Sequence, residues 1–431
     1  MKQATQDLFV GIDFGTSGCR AAAIDANHAL VANVSCTLPP PLRQGKHTEQ
    51  DPDIWWQAFK QVIDLLLQKI SSTAIKSIAI DGTSATVLAC TPQGEPLAPA
   101  LMYNDMRAEA EAQQLSTIAP DSIAGLGANS GLAKAMWLTQ HHQQPGNPIH
   151  VLHQADWILG RLTENYNTSD TNNCLKMGYD PILKTWPAWL QQLALWQHAV
   201  FPSVMPPGSR VANIDPQVAN QLSLSAQTLL VTGTTDSTAA CIATGAGEIG
   251  DAITSLGSTL VLKIIADTPI SDPNYGIYSQ PFGDKWLVGG ASNSGGAVLK
   301  HYFTDSDIAH YTRTLNPEQS TNVNYYPLIT PGERFPINDA NLQPILTPRP
   351  ADDQQFFQAI LEGIAHIEKL GYQRLSELGA PKIRKIYSTG GGSKNLAWQK
   401  IRANLTGLPI VTAQQQEAAY GTALLAKRAL A

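Results

Sequence analysis

The chain has little charge, and it lacks the signals of several specialised protein classes. Charged residues make up 15% of the 431 positions, below the roughly 25% of an average soluble protein. The hydrophobic fraction, 43%, is ordinary, which excludes a disordered chain. The formal net charge is −6, so no basic field favours nucleic acid or anionic lipid as a partner. We therefore expect a packed globular protein that acts on small molecules.

Cysteine is scarce, and long apolar runs are missing. The five cysteines are Cys19, Cys36, Cys90, Cys174 and Cys241. They form no C-x-x-C pair, which argues against a zinc ribbon and against a full set of disulfides. No run approaches the roughly 18 apolar residues of a membrane span, and the polar first residues do not resemble a signal peptide. These absences predict a cytoplasmic protein with no membrane partner.

A repeated hairpin pattern suggests two related domains. Residues 8–25 alternate as strand, polar turn and strand, with Gly15 and Thr16 at the tip. The same pattern returns over residues 251–265, where Gly257 and Ser258 occupy the tip. A repeat at this separation predicts two α/β domains facing each other, a number that also suits the length. We place them at 1–243 and 244–431.

Three turns rich in glycine and hydroxyl residues could bind phosphate. Two are the hairpin tips, and the third, residues 390–395, lies between a predicted strand and a predicted helix. Backbone N–H groups and hydroxyls in such turns commonly hold anions. A single turn of this kind is more often only a tight turn, whereas three together favour a nucleotide site. The chain has no G-x-x-x-x-G-K-[ST] sequence, so a Walker-type loop is excluded.

Several carboxylates stand where chemistry could occur, although each also has a purely structural explanation. Asp236 follows a strand and opens a small-residue helix, so it could cap that helix or accept a proton from a sugar hydroxyl. Asp13 ends a buried strand and could form an Asx turn or hold Mg²⁺. Asp105 and Arg107 belong to a polar segment that could bind a polyol or form an exposed loop.

In this order, the motifs resemble the FGGY carbohydrate kinases, of the actin, hexokinase and Hsp70 ATPase superfamily. The resemblance covers nearly the whole chain and rests on residues 11–20, 49–52, 55–56, 103–107, 233–236, 256–259 and 390–395. It implies two ribonuclease-H-like domains flanking a catalytic cleft. The first domain would hold sugar and the second would hold most of ATP.

The resemblance also implies roles for individual residues. Asp236 would be the general base, Asp13 would serve Mg²⁺, and Asp105 would bind sugar hydroxyls, with Arg107 beside it. The implied ATP-binding residues are Thr16, Ser17, Arg20, Gly257, Ser258, Gly391, Gly392 and Asn395.

The choice of sugar depends on a departure from the family pattern. Xylulose kinases usually carry a Gln-x-His-Gly turn where this chain has no histidine and instead has Asp81, Thr83 and Ser84. That turn is similar to ribulose kinases, and the chain is as short as the compact, xylulose-kinase-like branch. We therefore expect Thr83 and Ser84 to bind D-ribulose, phosphorylated at O5, with D-xylulose as the second choice.

Two other interpretations remain open at this point. A nucleotide-binding sensor on the same fold would bind without turnover, but such a protein has no need of the base Asp236. A metal-dependent sugar isomerase is more remote, because the sequence offers no His/Glu ligand cluster for it.

Overall fold

The computed structural model describes residues 6–119, 126–142 and 146–430. The chain forms two compact units. The first comprises Met1–Ala243 together with Glu417–Ala431, and the second comprises Thr244–Gln416. The second unit thus ends earlier than the expected 244–431. The reason lies at Gly11, where a side chain would overlap the backbone of Ala419 and Ala423. Because Gly11 has no side chain, the last helix of the chain, residues 418–428, packs directly against the strand that contains Gly11.

The strands cluster in four sheets. In chain order they are β1 (Leu8–Phe14), β2 (Gly18–Ile24), β3 (Leu30–Thr37), β4 (Leu42–Gln44), β5 (His47–Gln50), β6 (Ile75–Gly82), β7 (Val87–Cys90), β8 (Ala100–Leu101), β9 (Ile149–His153), β10 (Thr168–Asp170), β11 (Ala199–Val200), β12 (Ser203–Met205), β13 (Arg210–Asn213), β14 (Leu229–Thr235), β15 (Asp251–Leu256), β16 (Leu260–Ala266), β17 (Tyr278–Phe282), β18 (Lys285–Ser292), β19 (Lys385–Thr389) and β20 (Ile410–Thr412).

Helices surround these sheets. They are α1 (Pro52–Leu67), α2 (Glu109–Ile118), α3 (Gly131–His142), α4 (Gln154–Thr163), α5 (Thr171–Leu175), α6 (Ala188–Gln191), α7 (Ala194–His198), α8 (Pro216–Gln221), α9 (Asp236–Ala243), α10 (Gly296–Tyr302), α11 (Asp305–Thr314), α12 (Asp353–Glu377), α13 (Leu396–Thr406) and α14 (Ala418–Arg428). Within the described ranges, no helix has both the length and the hydrophobicity to cross a bilayer.

The main sheets of the two units share the order and directions of five strands, β3-β2-β1-β6-β14 and β18-β16-β15-β19-β20, while the sixth strand, β13 or β17, lies at opposite edges. In the first unit the order is β13-β14-β6-β1-β2-β3, and in the second it is β17-β18-β16-β15-β19-β20. Each contains an antiparallel hairpin, β1–β2 or β15–β16, whose first strand also pairs in parallel with a later strand, β6 or β19. The predicted repeat of a strand–turn–strand pattern in an α/β fold is confirmed.

A further sheet in the first unit, ordered β11-β9-β7-β8-β5-β4, extends the fold beyond the shared topology. Helix α1 lies between β5 and β6 in the chain and begins at Pro52. Asp51 accepts a hydrogen bond from the Asp53 N–H, and Pro52 occupies the first turn, a position that suits proline because its missing N–H would have no helical partner. Trp55, whose helical spacing from Phe59 indicates a core position rather than a sugar contact, is buried in the core.

Candidate active site

Three strands of the first unit end together, and each end carries an acid. The register of the sheet pairs Asp13 of β1 with Asp81 of β6, and it pairs Asp81 with Thr234 of β14. Asp236 directly follows the last residue of β14 and is the first residue of α9. The carboxyl ends of parallel strands form one edge of a sheet, where α/β folds commonly place binding sites. This edge brings together the predicted metal residue and the predicted base.

The first predicted phosphate turn lies at the same edge. Gly15 donates its N–H to the Gly18 carbonyl at 3.0 Å, which closes a turn in which Thr16 is partly exposed and Ser17 is exposed. Arg20, across from Asp13 in the hairpin, contacts the Asp13 carboxylate at 3.2 Å. The guanidinium therefore lies beside both the acid and the turn.

Asp81 is a residue whose importance the sequence did not reveal. It is fully buried, it lies opposite Asp13 in the parallel pairing of β1 with β6, and it accepts a hydrogen bond from the Thr422 hydroxyl of α14. Burial raises the pKa of Asp81 well above its usual range, and the negative charge of Asp13 raises it further. Burial also raises the pKa of Asp13, and the neighbouring Arg20 charge opposes that effect. The signal of Asp81 in the sequence was the one that Asp13 and Asp236 gave, an acid at the end of an apolar strand.

Asp236 is partly exposed at the start of its helix. Its Oδ1 accepts a hydrogen bond from the Ser237 N–H at 2.6 Å. The neighbouring Thr234 hydroxyl accepts a hydrogen bond from the Asn172 side chain at 2.9 Å. The carboxylate is therefore held at the helix N-terminus, where the dipole stabilises negative charge, and part of it still faces solvent. A carboxylate in this state can accept a proton.

Thr83 and Ser84 follow directly after β6 at the same edge. The Thr83 hydroxyl forms a 2.5 Å hydrogen bond with the Thr86 hydroxyl. The Ser84 hydroxyl is buried and makes no hydrogen bond to the described part of the chain. This turn adjoins Asp236, because Gly82 pairs with Thr235.

Asp105 differs from what its sequence context suggested. It is fully buried, and its carboxylate accepts hydrogen bonds from the Thr48 N–H at 2.6 Å and from Arg107 at 2.8 to 3.1 Å. The Arg107 guanidinium also contacts Glu49 at 2.7 Å. Both Asp105 oxygens are thus already engaged. In this arrangement the acid holds Arg107 in position, and a sugar hydroxyl would have to displace an existing donor to reach it.

A buried lysine connects the Asp105 segment to the Thr83 turn. Lys134 of α3 is completely buried, and its Nζ donates to the carbonyl oxygens of Ala85 at 2.6 Å and Met102 at 2.8 Å. Burial lowers the pKa of Lys134 to about 7, against the opposing effect of the Asp105 charge. Two of the predicted sugar segments are therefore tied to one side chain.

In the second unit the two predicted nucleotide turns are adjacent. Gly257 and Ser258 follow β15, and their carbonyls accept the N–H groups of Gly296 and Ala297 at 2.9 and 3.1 Å. The turn after β19 packs against the end of β15, since a side chain at Gly390 or Gly392 would come within 2.8 Å of Leu256. Both glycines are required for this close approach.

The other residues of the third turn have distinct surroundings. Gly391 is exposed. Asn395 caps α13 by accepting the Trp398 N–H at 2.9 Å, and its amide donates to the Thr312 hydroxyl at 2.9 Å. Both ends of this side chain therefore have protein partners.

Metal binding can be judged from the donor set. Across the described residues, no three His, Cys, Asp or Glu side chains are grouped to hold a metal. Mg²⁺ at phosphate sites uses only one or two protein carboxylates, because phosphate oxygens and water complete its shell. Asp13, a hard oxygen ligand beside the phosphate turn, fits that requirement.

Comparison with known proteins identifies the family. Residues 8–243 match the N-terminal domain of the FGGY family of carbohydrate kinases, and residues 252–430 match its C-terminal domain. The chain belongs to the FGGY family. The resemblance inferred from the motifs is thereby confirmed, and so is the sugar-kinase class of the protein.

Relatives of this FGGY chain span nearly its full length. A xylulose kinase of Staphylococcus epidermidis is 26% identical over 98% of this chain and 88% of its own length. A xylulose kinase of Escherichia coli is 23% identical, over 93% and 85%, and a gluconokinase of Bacillus subtilis is 20% identical, over 95% and 84%. The solved structure of a xylulose kinase from Lactobacillus acidophilus has a TM-score of 0.85 at 22% identity, covering 98% of this chain and 89% of that one, which shows the shared fold.

Proposed function

We propose that this chain transfers the γ-phosphoryl group of ATP to a hydroxyl of a ketopentose, with D-xylulose as the first candidate. The observation that carries the proposal is the acidic edge of the first unit, where Asp236 stands beside the Asp13–Asp81 pair and the Arg20 turn. The xylulose kinases among the similar proteins support D-xylulose over D-ribulose. Our sequence-based order of the two sugars is therefore reversed.

In the proposed mechanism the protein supplies positioning and charge. Phosphoryl transfer needs a group that accepts the proton of the attacking hydroxyl, and Asp236, partly exposed at its helix start, takes that role. Arg20, with Thr16 and Ser17, contacts phosphate oxygens at the first turn. Gly257 and Ser258 bind β- and γ-phosphate, while Gly391, Gly392 and Asn395 border adenosine. Mg²⁺, held by Asp13, would neutralise phosphate charge when bound.

A second candidate, D-ribulose, is favoured by one specific feature. The turn after β6 presents Thr83 and Ser84 and has no histidine, and the Ser84 hydroxyl is buried with no hydrogen bond to the described residues. Discrimination between pentuloses depends on a few hydrogen bonds of this kind. Thr83, Ser84 and Arg107 are the residues we assign to sugar contact, with Asp105 holding Arg107.

The test is sugar-dependent ADP release with Mg-ATP. The panel comprises D-xylulose, D-ribulose, L-xylulose, L-ribulose, gluconate, glycerol and glucose, each measured against a blank without sugar. We expect the largest kcat/KM with D-xylulose. A preference for D-ribulose would keep the reaction and restore the Thr83–Ser84 turn as the specificity marker. Nucleotide binding without turnover on any sugar would reject the kinase and favour a sensor.

A further inference from the structure

The side-chain amide of Gln154 is only half satisfied by the protein. Gln154 is the first residue of α4, and 1% of its surface is exposed. Its Oε1 accepts hydrogen bonds from the backbone nitrogen and the hydroxyl of Thr83, both at 3.2 Å. Its Nε2 is buried and makes no hydrogen bond to any residue that the structure describes. Most buried donors in proteins have a hydrogen-bond partner, so this one can take an acceptor that the described residues do not supply.

The orientation of this amide is fixed by its neighbour. The Thr83 N–H can only donate, so the oxygen of Gln154 must face it. The reversed amide would place its NH₂ group against another donor. The unpartnered atom is therefore the nitrogen, which has two N–H groups to donate. A ligand that binds this nitrogen must present an acceptor atom such as oxygen.

The location of Gln154 associates it with the candidate sugar site. Its backbone N–H donates to Thr86 at 3.1 Å, and a side chain on Gly82 would come within 3.0 Å of its Oε1. Gly82 pairs with Thr235, the residue before Asp236. Gln154 therefore lies at the strand edge that carries the proposed base.

A second unpartnered group belongs to the same turn, one residue after the Thr83 partner of Gln154. The Ser84 hydroxyl follows Thr83 in the chain, is buried, and has no hydrogen bond to the described residues. A hydroxyl can donate or accept, whereas the Gln154 nitrogen can only donate. A polyol or hydroxyketone carries oxygens that can accept from the nitrogen and exchange a hydrogen bond with the hydroxyl. A simple anion would suit the nitrogen but would add negative charge beside Asp236 and Asp13.

We propose that Gln154 is a sugar-binding residue whose Nε2 donates a hydrogen bond to an oxygen of the ketopentose. This inference rests on the proposed function and adds a residue to its specificity. Its Oε1 holds the Thr83 turn while its Nε2 contacts the substrate, so one side chain couples the position of the turn to the presence of sugar.

Calorimetric binding and turnover of the intact protein with D-xylulose and D-ribulose test the inference. Gln154→Met removes the donor at similar volume, and we expect its Kd and KM for sugar to rise about 10- to 100-fold while the KM for ATP changes less than twofold. If the methionine variant does not fold, Gln154→Glu, which keeps an acceptor toward Thr83, takes its place with the same expected direction. Gln358→Met is the matched control.

The control isolates loss of sugar contact from loss of stability. Gln358 of α12 is also buried, but its Nε2 donates within the protein, to the Gln319 carbonyl at 2.5 Å and to Glu362 at 2.9 Å. We expect Gln358→Met to lower the melting temperature and leave sugar KM unchanged. Deoxy analogues of the sugar add a second readout. Removal of the oxygen that Gln154 contacts should weaken binding to the wild type and cost little in Gln154→Met.

The outcomes separate this inference from the proposed function. Unchanged sugar Kd in both Gln154 variants of an active enzyme overturns the inference, with water as the partner of Nε2, and leaves the kinase assignment intact. Sugar binding without turnover in the wild type rejects the kinase, and the variant Kd values still decide the role of Gln154. A wild type that neither binds nor phosphorylates ketopentoses overturns both.

Discussion

The two units contain the same hairpin, but the side chains at its end are acidic in the first unit and neutral hydroxyls in the second. In the first unit the residues before the tip are Asp13 and its strand partner Asp81. At the equivalent places in the second unit the pair is Ser255 and Thr389. Backbone topology sets where a strand ends, while side chains set what that end can bind. One copy of the hairpin concentrates acids, and the other offers only neutral hydroxyls.

The buried polar groups of the second unit lie elsewhere. Arg402 of α13 and Glu368 of α12 are both fully buried and form two 2.6 Å hydrogen bonds. Arg402 also donates to Ser388 at 2.7 Å, and Thr254 donates to Glu368 at 2.6 Å. The polar network of this unit therefore joins its helices to its sheet. Under the proposed function, the acidic edge would serve reaction chemistry, and the neutral hydroxyl edge would hold phosphate without repelling it.

The largest expected effect comes from the acidic edge. Asp236→Asn keeps the acceptor for the Ser237 N–H but removes the basic carboxylate. Loss of a general base typically costs about 10²- to 10⁴-fold in rate, so we expect kcat to fall within that range while ATP still binds. Steady-state kinetics and nucleotide titration measure the two quantities.

A matched variant controls for the loss of one negative charge. Asp180→Asn alters a partly exposed turn acid of the same unit, which accepts hydrogen bonds from the Ile182 and Leu183 N–H groups. We expect its kcat to equal that of the wild type. If Asp236→Asn keeps kcat within threefold of the wild type, Asp236 is not the base. The acids at the first hairpin edge would then not explain catalysis.

The second prediction concerns the buried ion pair of the second unit. Glu368→Gln leaves the Arg402 guanidinium buried without its counter-charge. Breaking one partner of a buried pair costs about 3–5 kcal/mol, and we expect a loss of stability in that range. Hydrogen exchange should show the loss in α12 and α13, with β1 and β6 less affected. In the double variant Glu368→Gln/Arg402→Met, part of the stability should return, and a double variant less stable than the single one would contradict this account.

The third prediction concerns Lys134, a buried amine of the first unit whose Nζ donates to two backbone carbonyls. Lys134→Met leaves the Ala85 and Met102 carbonyls without their donor, at a cost of about 1–3 kcal/mol. Because burial lowers the folded-state pKa of Lys134 to about 7, from 10.5 in the unfolded chain, the unfolded state binds more protons between these values.

The pH dependence follows from that difference in proton binding. Wild-type stability should gain from Lys134 as pH rises from about 7 toward 10, because folding no longer has to bury a charge. The groups whose charges act on Lys134 are Asp105, Lys176 and Arg107. Melting temperatures of wild type and Lys134→Met, compared from pH 6 to 10, should diverge in favour of the wild type. Parallel curves would contradict the lowered pKa.

Local patterns explain what the sequence could predict. Gly15 and Thr16 mark a tip because glycine and hydroxyl residues close turns, and the Asp51–Pro52 start of α1 is a local capping signal. The features that the sequence did not predict depend on contacts between residues far apart in the chain. Asp81 accepts a hydrogen bond from Thr422, 341 residues later in the chain. Asp105 accepts one from the backbone N–H of Thr48, 57 residues earlier. No spacing rule reports such pairs.

The same limit applied to the closing helix and to the sugar site. The alanine-rich composition of residues 418–429 predicts a closing helix, but the packing of α14 on the first unit depends on the missing side chain of Gly11. In the sequence, Gln154 resembles any polar residue at the start of a helix. Only the structure shows that its oxygen accepts from Thr83 while its nitrogen has no hydrogen-bond partner among the described residues. Burial and partner geometry, which three-dimensional packing decides, separate these residues from ordinary ones.

The smallest expected effect separates a helix cap from a nucleotide contact at the edge of the second unit. Asn395 accepts the Trp398 N–H and donates to Thr312, so Asn395→Ala should cost about 1 kcal/mol of stability, the usual value of a cap. Asn395→Ser keeps a capping oxygen and should recover most of that loss. Because both ends of the amide are engaged by protein, we expect KM for ATP to rise less than threefold in either variant. A tenfold rise in the serine variant, with stability restored, would instead make Asn395 a direct ligand of adenosine.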